Sequence, residues 1–278
     1  MRQNLSLACV AAILAGIGAS PLRAADFSDE TLGEAVAAPN ERVVSALLAA
    51  GVAMKPEFEG SDKYEVVPLL LANVKWGGVE LQLRGLEARV DLFADSPWDF
   101  GPVVNYRGKR DDDVSGPVKR LAEIDGAVEG GGFLAYAFGG DRNGQGEIRL
   151  EATVLHDVSG EHDGFTASGG VSYAALRWGP VYANVDAQTT YASKDFNRTY
   201  FGVTRAGSIA SGLKAYRPGA GFKDVSAGVT AGYQFNEQWG LVARAEVTRY
   251  VGDAADSPIV KDGSKTSALL GLGVSYRY

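Results

Sequence analysis

From Arg42 onward, apolar residues alternate with polar or small ones in runs of about ten residues, each bounded by turn-forming residues. The clearest run is "VSAGVTAGYQF": Val225, Ala227, Val229, Ala231, Tyr233 and Phe235 share one face, and Ser226, Gly228, Thr230, Gly232 and Gln234 the other. After the turn "NEQ", the run "WGLVARAEVTRY" places Trp239, Leu241, Ala243, Ala245 and Val247 on one side and Arg244, Glu246 and Thr248 on the other. The same alternation recurs in "GPVYANVDAQTTY" and "EIRLEATV", and the chain ends on it in "LLGLGVSYRY". A charge facing lipid is costly, so the polar sides are assigned to the interior of a closed barrel. Aromatic residues near the run ends, Trp76, Trp98, Tyr106, Trp178, Tyr191, Phe235, Trp239 and Tyr250, fit interfacial girdles.

The predicted fold is an all-β, antiparallel, up-and-down transmembrane barrel. The stretch "VELQLRGLEARVDLF" changes phase at Gly85. Read as one bulged strand it gives eleven strands, an odd number that puts the chain ends on opposite sides. Read as a tight hairpin at Arg84-Gly85 it gives twelve, which is the expectation taken forward, with ten as the alternative. Connectors alternate between short ones ("ADSP", "GGDRNGQG", "RWGP", "NEQ") and long ones (109–125, 157–163, 193–222, 252–265). That asymmetry predicts both ends in the periplasm.

The first 24 residues read as a secretory signal peptide: Arg2, an apolar run from Leu5 to Gly18, and small residues before a cut after Ala24. Residues 25–41 are acidic, without a period of two, and read as a periplasmic arm; the barrel occupies 42–278. Cleavage leaves 254 of 278 residues, carries off Cys9, and with Arg2 and Arg23 takes the net charge from −7 to −9. A chain without cysteine is neither a disulfide framework nor a thiol enzyme. An acidic chain is a poor nucleic-acid binder, and no such partner is expected.

Candidate chemistry is thin. His156 and His162 lie in "LHDVSGEHDG" with Asp157, Glu161 and Asp163, but the spacing matches no established zinc pattern, and a solvated acidic loop explains the same residues. There is no G-x-S-x-G, and Ser159 and Ser168 are ordinary strand or turn serines, so no catalytic residue, cofactor or metal is assigned. Asp111 to Asp113 with Lys109, Arg110, Lys119 and Arg120 read as a hydrated charged loop, although such a group would also suit cations bridging lipid phosphates. Lumen candidates Glu129, Glu147, Arg149, Glu151, Asp186, Arg244, Glu246 and Arg277 mix both signs. Opposed charges either knit a narrow barrel shut or line a small passage; for this size the closed version is expected. Tyr276 and Tyr278 are the expected insertion signal for the outer membrane.

Several stretches carry a family resemblance: "PEFEGSDKYEVVPL", "FGPVVNYRGKR", "RTYFGVTRAGSIASGLKAYRPGAG", "DSPIVKDGS" and the closing "GVSYRY". Together they resemble the MipA/OmpV family of Gram-negative outer-membrane proteins, from about Ala46 to Tyr278. The most specific piece is the loop motif Tyr200, Phe201, Gly202, Val203, Ser211, Gly212 and Tyr216. The MipA side of the resemblance implies a non-enzymatic scaffold in the cell outer membrane. Its implied partners are membrane lipid, a lytic transglycosylase and a bifunctional penicillin-binding protein acting in peptidoglycan growth. The OmpV side implies a small channel or a surface adhesin. The resemblance supplies no catalytic residue.

Overall fold

The computed structural model describes residues 44–278. The expected signal peptide, the cut at Ala24 and the acidic arm lie outside those residues. Twelve strands close into one antiparallel barrel in which each strand neighbours the next in sequence and β1 pairs with β12. They are β1 Val44–Pro56, β2 Tyr64–Trp76, β3 Val79–Arg84, β4 Glu87–Asp91, β5 Trp98–Arg107, β6 Ala127–Gly139, β7 Glu147–Asp157, β8 Phe165–Trp178, β9 Val181–Ala192, β10 Gly221–Gln234, β11 Trp239–Tyr250 and β12 Thr266–Arg277. The seam runs from Leu47 opposite Arg277 to Met54 opposite Leu270. Tyr278 extends it through hydrogen bonds with Ala46 in both directions, at 2.8 and 3.2 Å.

An even strand number brings both described ends to one rim, here the terminal rim. The opposite, loop rim carries the long connectors. Outward faces are apolar: Val52, Val66, Leu134, Val154, Val185, Val229, Val247, Leu270 and Leu272 are all exposed. Charged residues from the same strands lie inside. A water-soluble sheet packs its apolar face inward, so this inversion fits a wall that meets hydrocarbon. Aromatic pairs mark the terminal rim: Trp98 on Tyr136 (4.4 Å), Trp239 on Tyr276 (4.9 Å) and Phe93 on Phe100 (4.5 Å). Tyr250 is different from the girdle residue expected of it. It points inward, is buried, and meets Phe201 at 5.9 Å, because its place in the alternation is that of inward Thr248 and Arg244.

The phase change at Gly85 is a two-residue hairpin turn, with Arg84 opposite Glu87 and Gly85 at φ 62°, a conformation that only glycine adopts without strain. Its arms, of 6 and 5 residues, are shorter than the roughly 9–11 that a crossing strand needs. The hairpin therefore stops part-way up the wall. The Gly85 N–H donates to the Leu70 carbonyl, and beyond that point the edge of β2 has no strand of the described residues beside it. Alternation turns the backbone groups of Pro68 toward this notch, and proline has no N–H to leave unpaired.

The long connectors fold into a lid. It comprises a 3-10 turn at Pro117–Arg120 and four helices: α1 Lys194–Phe201, α2 Arg205–Ser211, α3 Gly252–Asp256 and α4 Pro258–Asp262. Ser193 and Thr204 cap α1 and α2 by accepting from the Phe196 and Gly207 N–H groups, and Gly212 ends α2 in the left-handed conformation.

Candidate functional site

The strand alternation that greases the outside fills the inside with ion pairs. On one wall, β3, β4, β5 and β7 direct Arg84, Arg89, Arg149, Glu87, Asp99 and Glu151 inward, three cations against three carboxylates. The Arg89 guanidinium donates to Glu151 at 2.7 Å, bonds Glu87, and lies 4.7 Å from the Phe133 ring centroid. Arg149 contacts Asp99 and lies 3.7 Å from Glu151. Across the lumen, Arg244 bonds both oxygens of Asp186, and also Glu246 at 2.7 Å and Thr230 at 3.1 Å. Gly228 faces that guanidinium, and a Cβ there would lie 2.4 Å from an Nη atom, so the glycine makes room for the arginine. Between the two groups, a cavity of about 20 Å³ is bordered by Arg149, Glu151, Asp186 and Gln188. That is enough for a water. Of the predicted lumen charges, Arg149, Glu151, Asp186, Arg244 and Glu246 thus lie in two facing clusters.

A third network sits under the loop rim. Glu129 is gripped by Arg107 through two bonds of 3.1 and 3.2 Å and accepts from Asn105 at 2.6 Å. Arg107 reaches Glu59 at 3.3 Å, and Lys223 reaches the same carboxylate at 3.1 Å. His162 Nδ1 accepts the Gly164 N–H at 3.1 Å, so its Nε2 carries the proton that points to Glu129, 3.2 Å away. His156 is exposed on the strand's outer side. No group of three or more His, Cys, Asp or Glu side chains among the described residues is arranged to hold a metal.

Helix α1 closes this network from above. Phe196 and Tyr200 lie over Arg107 at 4.8 and 5.3 Å and meet the His162 ring edge-on at 5.2 and 5.6 Å. Phe196, Tyr200 and Phe201 join Ile124, Tyr250, Ala254 and Val260 in one apolar core. A second core above it takes Val114 and Val118, Val203, and Ile259 from three different connectors, with Phe58 from a fourth. Burial holds the Tyr200 hydroxyl well above the usual phenol range and pushes the Arg110 guanidinium down to about 10. Arg110 spends a donor on the Tyr200 carbonyl at 3.0 Å.

The loop motif singled out in the sequence is the framework of this lid. Tyr200 and Phe201 are core, and Val203 forms a two-way backbone bridge with Tyr216 at 2.9 Å. Gly202 fits against the Arg198 carbonyl, Ser211 bonds the Gly207 carbonyl at 2.6 Å, and Tyr216 donates to the Asp253 carbonyl at 2.9 Å. Sequence reasoning missed the lid's apolar cores. It also missed an apolar sector of the lumen made by Leu47, Leu69, Leu71, Tyr182, Val242 and Leu269.

The family model for the MltA-interacting protein MipA matches residues 48–278. The MltA-interacting proteins of Escherichia coli (strain K12) and Shigella flexneri are each 34% identical over 86 residues, 31% of this chain; the match spans 34% of the length of those relatives. Among solved structures, the NanC porin aligns with 84% of this chain and 100% of its own at 10% identity and TM-score 0.41. An outer membrane channel from Pseudomonas putida F1 aligns with 88% and 98% at 10% identity and TM-score 0.45. A family match across nearly all described residues, on a closed twelve-strand barrel with an apolar outer wall, establishes that the chain belongs to the MipA family and is an outer-membrane β-barrel.

Proposed function

We propose that this chain is a non-enzymatic scaffold that brings a murein-cleaving lytic transglycosylase and a bifunctional penicillin-binding protein together at the outer membrane. The observation that carries the reading is the filled lumen. Ion pairs reach across it, and a lid with its own apolar cores roofs it, so the interior serves rigidity rather than transport or chemistry. The relatives' printed name, MltA-interacting protein, supplies the class of the first partner. In this reading the terminal rim faces the periplasm, and its short turns, with the acidic stretch 25–41, form the contact surface.

The test is capture by immobilised protein from a detergent extract of envelope. The expected result is retention of a lytic transglycosylase and a bifunctional penicillin-binding protein, weakened when residues 25–41 are removed. Retention of neither enzyme overturns the scaffold.

A further inference from the structure

Two sets stand apart among the lid's cations. Lys63, Lys109, Arg198 and Lys261 each lie against a carboxylate, respectively Asp62, Asp111, Asp195 and Asp256. Lys119, Arg120, Arg205, Lys214 and Arg217 are exposed, and none forms an ion pair with a described residue. Lid packing gathers these five. The 3-10 turn rests on α2, where Arg120 donates to the Ser211 carbonyl at 3.1 Å and the Leu121 side chain abuts Gly207. The Val203–Tyr216 bridge then folds Lys214 and Arg217 back beside α2.

From Thr204 to Phe222 there is no acidic residue, on a chain whose net charge is −7. In the neighbouring connectors, Asp253 accepts the Gly219 N–H at 2.6 Å and Asp262 lies beside Gly116. Within this basic patch stands Ile209, 81% exposed, higher than any other large hydrophobic side chain among the described residues, with Ala206 and Ala210 exposed on the same helix. Nothing in the lid core requires an isoleucine there, since α2 packs through Gly207 and Ser211.

Unpaired cations around an exposed aliphatic knob match a surface of phosphates over an apolar layer. Guanidinium groups suit phosphate oxygens by their fork of donors, and the knob gains what a soluble anion would not offer it. We propose that this loop-rim patch binds phosphate-bearing membrane lipid, with Lys119, Arg120, Arg205, Lys214 and Arg217 on the headgroups and Ile209 entering the acyl boundary.

The test uses the barrel protein in phosphatidylcholine nanodiscs, mixed with vesicles of phosphatidylglycerol or of phosphatidylcholine, with co-flotation as the readout. Flotation is expected with phosphatidylglycerol only, falling as salt rises. Since each basic residue near an anionic surface is worth roughly fivefold, the R205E/K214E/R217E variant is expected to bind about a hundredfold more weakly. Ile209→Asn is expected to weaken binding several-fold without changing the salt dependence. Heat-modified gel mobility, which reports the folded barrel, controls for folding. Equal flotation with both lipids, or no effect of the triple charge reversal, overturns the proposal. So does displacement by inorganic phosphate or polyglutamate with Ile209→Asn unchanged, which marks a site for soluble anions.

Discussion

Arg244 shows what one residue does in this lumen. Its side chain is fully enclosed, and it pairs with Asp186 and Glu246 at once. Removing one partner of a buried pair leaves the other charge without compensation, at a cost of about 3–5 kcal/mol. Arg244→Met is therefore expected to lower the free energy of unfolding by that amount, read as a lower urea midpoint at unchanged slope. Adding Asp186→Asn and Glu246→Gln removes the stranded charges and is expected to recover most of the loss, which urea unfolding of the single, double and triple variants in detergent checks. If Arg244→Met alone leaves the midpoint unchanged, the lumen pairs are not holding the wall.

At the scale of elements, the strands were legible and the lid was not, for a physical reason. A strand repeats every two residues, so Val225 to Phe235 announce their face locally, and even the short hairpin at Gly85 shows as a shift of phase. The lid's apolar residues have no such rhythm. Val118, Val203 and Ile259 find one another only after four connectors converge, and a single connector gives no sign of its neighbours. The readable signals are the caps, Ser193, Thr204 and "SP" at Ser257-Pro258, which mark helix starts inside two of the long connectors. Tyr250 was misassigned because an aromatic at a strand end suits both a girdle and a lid core. Phe196, the stopper beneath α1, is expected to be the lid's weak point: Phe196→Ala deletes an enclosed ring worth about 3–5 kcal/mol and should expose 193–220 to proteinase K while the barrel keeps its heat-modified mobility. The same assay has a pH dependence. The closed lid holds the Tyr200 proton above the ordinary phenol value of 10.0, so that contribution is complete below pH 10 and is lost as pH rises beyond it. Lid cleavage should rise above pH 10 in the wild type, and less so in Tyr200→Phe.

For the whole molecule, the scaffold we propose makes the ion pairs and the lid two barriers in series, and this decides how conduction responds to mutation. The lid covers the loop-rim network around Glu129, while Arg89, Glu151, Arg149 and Asp186 lie deeper in the lumen. Opening one barrier leaves the other. Wild-type protein in planar bilayers is expected to show no discrete conductance steps, and deletion of 194–219 alone is expected to add none. Neutralising the deeper cluster by Arg89→Ala with Glu151→Ala, in the lidless background, shortens both side chains and removes the pair spanning β4 and β7, so steps should appear only in that combination. Steps in the lidless protein with Arg89 and Glu151 intact would show that the deeper pairs line a passage instead of closing it, and the filled-lumen argument for a scaffold would lose its basis.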